Sequence, residues 1–455
     1  MKTIQEPARE IPVAAEKDVV VVGGGPSGVM AAIAAARMGA DTLLAEINGF
    51  LGGPLAMYLP IQGFIDREGR QIVKGLAQEF VDRLRAKEGA YHKFTVSRQT
   101  NDLLIIDAEA VKLVCQEMVL EAGVEIHLHT MFTDAHPAGE KPSAVIVQNK
   151  SGRQAVTGRF FIDATGDGDL AAGCRARYTV GRDTDGLPQS ATLTFRVDGV
   201  DEDVVRRAIL DDPERFDICE TCYSELRLDR KHQVVGFRNL IKEAKAEGFP
   251  VPFGKVLYCS LLQEGAMLIN MTHVENVRCH VAADLTRAEI EAREQVPIIF
   301  EFLKRYVPGF EKAQLTSTAH AVGVRETRHI EGDYTLTLAD VRAGRRFDDT
   351  IGLCGYPVDI HSPDATDVNL EHIPTYGIPY RCLTPKSLDN VLVVGRALSA
   401  THEALASVRV MAPCMAMGQA AGVAAALAVK TGKTSRQIDF GMLRSTLLAQ
   451  GAVLD

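Results

Sequence analysis

The sequence predicts an α/β protein whose main sheet is assembled from segments far apart in the chain, with an α+β unit inserted between them. Three observations carry this expectation. A β-branched run at 19–22 breaks into glycines and is followed by an alanine-rich helical stretch, the pattern of a strand buried on both faces that leads into a crossover helix. Strands and helices then alternate to about residue 185, and the same style returns near residue 381. Between 186 and 380 the rhythm changes to neighbouring strands and one long helix, which reads as a separate α+β layer. The expected bodies are therefore 17–185 and 381–455 together, with 186–380 inserted.

The first stretch, 18–28, reads DVVVVGGGPSG. Its Gly23, Gly25 and Gly28 have the spacing G-x-G-x-x-G. In a Rossmann-like unit, Gly23 allows the tight turn, Gly25 lets the backbone approach a pyrophosphate, and Gly28 lets helix and strand pack closely. Pro26 and Ser27 are candidates for cofactor contact within this turn, and the helix that follows Gly28 offers free N–H groups and a positive end that suit an anion. A second strand at 42–45 ends in Glu46, an acid placed to accept hydrogen bonds from ribose hydroxyls. Strand, turn, helix and acid occur in the order that a dinucleotide needs.

The remaining elements follow in turn. Residues 1–16 have little pattern and read as an irregular arm. Helical spacing covers 72–88, with Ile72, Leu76, Phe80 and Leu84 on one face, and 107–121, with Asp107 as N-cap and Gly123 as terminator. Strands are expected at 124–128 and 144–148, then at 159–163 running into ATGDGD. In the inserted part, strands are expected at 190–197, 255–262 and 267–271, with helices at 200–209 and 285–306. The return brings a strand at 391–394 and a small-residue helix at 413–429.

Composition bounds the function. The chain has 455 residues, 46% hydrophobic and 24% charged, with a formal net charge of −9 and no dense basic tract. Nucleic acid and anionic membrane surfaces are thus poor general partners. No window is read as a membrane span, because Pro413, Gly418, Gln419 and Gly422 interrupt the most apolar candidate, 411–429. The charged N-terminal residues do not read as a secretory signal, so a cytoplasmic protein is expected, with homo-oligomerisation left open. Nine cysteines, an odd number, argue against a disulfide framework. Cys219 and Cys222 form the one C-x-x-C, which leaves open a redox pair, half a metal site or ordinary thiols; no metal site is expected.

Three glycine-marked turns are expected to meet at one ligand: Gly23–Gly28, the run Asp163, Thr165, Gly166, Asp167 at a strand end, and Gly395-Arg396 followed by the helix that carries Gly418. A chain that comes back to its first sheet from nearly 400 residues away points to FAD rather than NAD. On these stretches the sequence resembles the bacterial FAD-dependent oxidoreductase family of two-dinucleotide-fold flavoproteins, with glutathione reductase- and fumarate reductase-like character in the nucleotide domain. The matching segments include DVVVVGGGPSGVMAAIAAARMGADTLLAE, LGG with Gly52 and Gly53, FIDATGDGDLA, GVRETRHIEGDYTLTLADV, YPVDIH, and VLVVGRALSATHEALASVRVM with CMAMGQAAG. The resemblance implies FAD held at Gly23, Gly25, Gly28 and Glu46 with Asp167 beside it. Arg396 departs from the family, which often has an acid there.

Flavin chemistry on an alcohol or amine needs a base, and histidine is suited to neutral pH. His402 and His361 lie in the matching segments, and Glu403 is a candidate to orient His402. Arg409, Arg325, Arg328 and Arg381 are candidates to clamp an anionic small-molecule substrate, while Arg325–Arg328 also reads as an ion-paired strand edge. Cys414, at a helix start, is a candidate for a lowered pKa. The function expected is hydride transfer between flavin N5 and a small organic substrate. An electron-transfer subunit working with an iron–sulfur partner is the alternative.

Overall fold

The computed structural model describes residues 2–97, 100–218, 222, 226–227, 231–252, 254–362 and 368–455. The chain opens with β1 (Val13–Val22), α1 (Pro26–Arg37) and β2 (Thr42–Ala45), joined in that order by the glycine turn. Val19, Val20 and Val21 are wholly buried, each such side chain contributing on the order of 1.5–3 kcal/mol. The strand starts earlier than expected, because residues of the supposed arm add an exposed parallel extension that pairs Val13 with Ala155. Next come α2 (Ala108–Glu121), capped by the Asp107 carboxylate, and β3 (Glu125–His127). An antiparallel ribbon follows, β4 (Met131–His136), β5 (Ala144–Asn149) and β6 (Gly152–Asp163).

These strands form one sheet in the order β3-β2-β1-β6-β5-β4. Strands β3, β2, β1 and β6 run parallel, in register from Val19 opposite Thr42 and Phe160. The inserted body has its own five-stranded antiparallel sheet, made from β7 (Phe195–Asp198), β8 (Gln233–Gly236), β9 (Val256–Ser260), β10 (Met267–Ile269) and β11 (Gln314–Thr318) in the order β8-β9-β10-β7-β11. Helix α3 (Ala282–Tyr306) covers it with Ala288, Ala292, Val296, Ile299 and Phe302. The stretch expected as one strand at 190–197 joins the ladder only from Phe195. Ala191 and Thr192 make single bridges to Val274 and Gly323 instead.

The second core draws on Ala191 to Val324 together with Met57. Residues from Leu336 to Tyr380 pack into the first core, beside α1 and the end of the chain. Apolar burial therefore returns the chain to the cofactor-binding body well before residue 381, which shortens the inserted unit relative to the expected 186–380. The hairpin of β12 (Val358–His361) lies in this returning part. After it, β13 (Val391–Val393) joins the main sheet parallel to β6, followed by α4 (His402–Val408) and α5 (Met411–Thr431).

Helix α5 does have the length and mean hydropathy, 1.5, of a membrane span. Pro413 sits in its first turn and its glycines do not break it, but 94% of its most apolar window is buried in the protein. The glycines serve packing. A Cβ on Gly418 would lie 2.1 Å from the Ser27 carbonyl oxygen, and one on Gly422 would lie 2.2 Å from that of Ala31. Gly418 is thus a helix-crossing residue against α1 rather than part of a ligand surface.

Candidate active site

The three turns meet. Gly23 donates its N–H to Ala45 O at 2.7 Å, and its φ of +102° turns the chain into α1. Ala164 N–H reaches Val22 O at 2.8 Å and Val394 N–H reaches Asp163 O at 3.0 Å, so the second and third turns are stitched to the first. Gly395, at φ +78°, faces Ser27, whose hydroxyl would be 2.9 Å from an added Cβ. The loop with Gly52 and Gly53 closes the other side. Gly52 N–H donates to Gly24 O at 2.8 Å, and a Cβ on Gly53 would lie 3.1 Å from Gly25 Cα.

Gly25 itself is open. A Cβ there would meet only Pro54 Cδ, at 3.9 Å. As N-cap of α1 it offers no side-chain cap, and the first turn holds no acid. The first N–H groups of the helix are thus left for an external acceptor. A backbone that could carry a methyl group but does not, above uncapped N–H groups, fits a pyrophosphate.

Glu46 is buried and its carboxylate accepts from Gly24 N at 2.5 Å and from Asn48 N and Nδ2 at 2.8 and 2.7 Å. It holds the end of β2 against the glycine turn, where a ribose would sit. Glu46→Arg is expected to lower FAD affinity roughly 10–100-fold, since charged hydrogen bonds of ~1.5–3 kcal/mol are lost. Flavin content after gel filtration checks this; full occupancy would remove Glu46 from the ribose site.

Asp163 does not face the ligand groove. It is fully buried and spends its carboxylate on Thr165 N and Oγ1 and on Ala171 N, shaping the turn. Burial pushes its carboxyl up to about 6. Thr165 in turn accepts from Asp169 N–H, and Gly166, at φ +78°, lies under the Arg396 guanidinium. That guanidinium donates to Asp167 Oδ1 at 2.6 Å. Asp167 from the neighbouring turn thus places a carboxylate beside the residue after Gly395, with Arg396 as its counter-ion.

A second polar cluster adjoins this one through a single dipeptide. Thr327 Oγ1 donates to Asp167 Oδ1 at 2.9 Å, while Glu326, its predecessor, meets His402 Nδ1 at 2.9 and 2.8 Å. His329 Nε2 lies 3.0 Å from the same carboxylate. Burial would push the Glu326 carboxyl up, but His329 and His402 override it and hold it at about 2. Glu326, not Glu403, orients His402. The sequence reading missed it because its partner is 76 residues away.

Gln189 links the cluster onward. Its N–H donates to Glu326 at 2.8 Å, and its Oε1 accepts from Arg409 at 3.2 Å and from His361 N at 3.3 Å. His361 Nε2 sits 3.3 Å from Asp359 Oδ2. Burial, aided by Arg325, pulls His361 down to about 4, whereas Asp359 is held well below the usual carboxylate range: burial opposes ionisation, but His361, Arg409 and Arg325 more than offset it. His402, His361 and Arg409 are thus brought together. Asp359 and Gln189 are additions; the alternation of VDIH, with Asp359 and His361 two apart, was the readable signal for the first.

The other arginine candidates divide. Arg325 donates to Ser190 O and Thr192 Oγ1 within the cluster. Arg328 is bound to Asp167 O and Asp169. Arg381 pairs with Asp349 at the surface, half exposed and away from the site. Cys414 is not activated: burial pushes its thiol up to about 12, and it donates to Arg409 O. Of the C-x-x-C pair, Cys219 lies outside the described residues, and Cys222 is buried and disulfide-bonded.

His361 makes a pH test possible. Its folded pKa, about 4, is below the ordinary 6.5. Between these values the unfolded chain binds a proton that the folded one does not, so wild type loses stability as pH falls from 6.5 to 4. Asp102 and Asp163, raised to about 7 and 6, act in the opposite direction, but they cancel in a difference. The melting temperature of wild type minus that of His361→Asn is expected to fall across this range and stay flat above it; a flat difference throughout would refute the neutral buried His361.

A family model described as FAD dependent oxidoreductase matches residues 18–447. The chain belongs to the FAD dependent oxidoreductase family. FAD is its cofactor, and the protein is an enzyme. Among solved structures it is similar to a geranylgeranyl bacteriochlorophyll reductase-like protein from Thermoplasma acidophilum, with 14% identity, a TM-score of 0.47, and 96% and 84% of the two chains covered. It is also similar to the flavin-dependent brominase Bmp2, with 11% identity, a TM-score of 0.49, and 96% and 83% coverage. The p-nitrophenol 4-monooxygenase PnpA from Pseudomonas putida is a third, with 11% identity, a TM-score of 0.46, and 96% and 89% coverage. In this oxidoreductase the glycine turn, with Glu46 and the Asp167–Arg396 pair beside it, would hold the cofactor.

Proposed function

We propose that this FAD-dependent oxidoreductase moves a hydride between flavin N5 and a small organic substrate, with His402 as the base. FAD, when bound, supplies the two-electron acceptor and donor. The observation that supports the reading is the buried Glu326–His402 pair, one residue from the Thr327–Asp167 contact that ties it to the cofactor turn. The carboxylate fixes the imidazole with its Nδ1–H donated, which leaves the Nε2 lone pair for a substrate proton. Such a positioned base contributes roughly 10²–10⁴-fold to rate. His361, whose conjugate acid is pulled down to about 4, is a poor base at neutral pH; beside Asp359 and Arg409 it suits substrate orientation instead.

The test is anaerobic mixing of the FAD-loaded enzyme with a panel of small hydroxy acids, amino acids and amines while the visible flavin band is followed. Bleaching by at least one donor is expected. A flavin that stays oxidised with every donor, yet is reduced through a partner protein, would sink the reading in favour of an electron-transfer subunit.

A further inference from the structure

The cluster around Arg409 has an incomplete set of hydrogen bonds. Among the described residues, Gln189 Nε2, Ser190 Oγ and Arg409 Nε are buried atoms without a hydrogen-bond partner. Gln189 and Ser190 are 2% and 0% exposed. Buried polar atoms of this kind are normally satisfied, and three unpaired ones in a single cluster need a reason. Gln189 Oε1 accepts from an Arg409 Nη at 3.2 Å, so the unused amide N–H₂ and the unused Nε–H belong to two groups already in contact. Two unused donors are therefore carried by one hydrogen-bonded pair of side chains, with the Ser190 hydroxyl one residue along the chain.

The charges are also incomplete. Arg325 and Arg409 are two cations and Asp359 is one anion. His361 and His273 are each pulled down to about 4 and are neutral at neutral pH. The acid Glu326 is spent on His402, His329 and Gln189 N–H rather than on either arginine. Asp359 Oδ2 lies 3.9 Å from Arg409, beyond hydrogen-bond reach, and a guanidinium in so desolvated a place without a close anion is disfavoured unless one completes it. Arg325 is tied into the wall by Ser190 O and Thr192. Arg409, at 13% exposure, is the cation a small ligand can reach.

We infer that this cluster is a receptor for one carboxylate, gripped by Arg409 and the Gln189 amide, and that the substrate is a monoanion presented beside His402. The inference rests on the reading that the cluster is the substrate site. A carboxylate has two oxygens to accept from donors on the Gln189 amide and the Arg409 guanidinium, an arrangement that a neutral amide matches only in part. Asp359 sets the number of charges: it cancels one arginine and would repel a second carboxylate.

The experiment uses the FAD-loaded full-length enzyme and three probes, propionate, propionamide and succinate, followed by the bound-flavin difference spectrum and by calorimetry. Propionate is expected to bind at least about tenfold more tightly than propionamide, and succinate no more tightly than propionate. Arg409→Gln is expected to abolish the preference with FAD retained, and Arg409→Lys to restore part of it. Equal binding of propionamide, or succinate about tenfold tighter than propionate, would overturn the inference on wild type alone, whatever the variants do. No turnover is needed, so the two readings fail separately. Carboxylate binding without reduction by any donor would defeat hydride transfer only, and reduction by donors without carboxylate preference would defeat the receptor only.

Discussion

A Gly25→Ala variant is expected to fold and to hold FAD roughly 10–100-fold more weakly, with depleted flavin content. The backbone at Gly25 has φ −75° and ψ −170°, which alanine adopts without strain. Its new Cβ would meet nothing nearer than Pro54 Cδ at 3.9 Å. The protein itself gives no reason for glycine here, so any penalty must come from what approaches from outside. A methyl group pushed against a pyrophosphate costs ~1–3 kcal/mol, a loss of roughly 10–100-fold in FAD affinity. The contrast is Gly28→Ala, where the Cβ would lie 1.8 Å from Gly23 O and 3.0 Å from Ala164 Cβ. That collision is between backbone segments of the fold, and its cost, above about 3 kcal/mol, is a large share of a typical 5–15 kcal/mol stability. Circular dichroism and flavin content separate the two cases. Should Gly25→Ala keep its full flavin, the pyrophosphate does not pass over Gly25.

The same contrast explains what the sequence made readable. Val19–Val22, the glycine spacing and the Asp107 cap are local patterns whose physical cause lies within a few residues, and the structure has them as expected. The expected boundary at 380 does not coincide with the change of apolar core, because the packing of Leu336–Tyr380 in the first core depends on contacts with α1 and the chain end, which no local periodicity encodes. Cys414 was misread for a related reason. A helix start lowers a thiol pKa where water can reach it, but here the thiol is 6% exposed and burial decides. Glu326 was visible only as one charge in Arg-Glu-Thr-Arg. Its meaning comes from His402 and Gln189, 76 and 137 residues distant, and from Thr327 turning the other way toward Asp167. That dipeptide joins the cofactor turn to the proton-handling group, and neither half is recognisable alone.

His402→Asn is the variant that carries the chemical reading. An asparagine amide can donate to Glu326 in place of Nδ1–H, so the buried carboxylate, which also accepts from Gln189 N–H, keeps its partners and the fold is expected to hold. His402→Ala would remove a partner from a carboxylate with a side chain 0% exposed and confuse lost stability with lost chemistry. With asparagine, FAD content and melting temperature should stay near wild type. The rate of flavin reduction under saturating donor should fall by roughly 10²–10⁴. Carboxylate-probe binding, which depends on Arg409 and Gln189, should persist. The comparison with His361→Asn is the sharper measurement: His402→Asn should slow flavin reduction far more than His361→Asn does. If His361→Asn gives the large loss and His402→Asn does not, proton transfer runs through the Asp359 side of the cluster. Glu326 would then be a structural counter-ion for two histidines rather than the residue that sets the base.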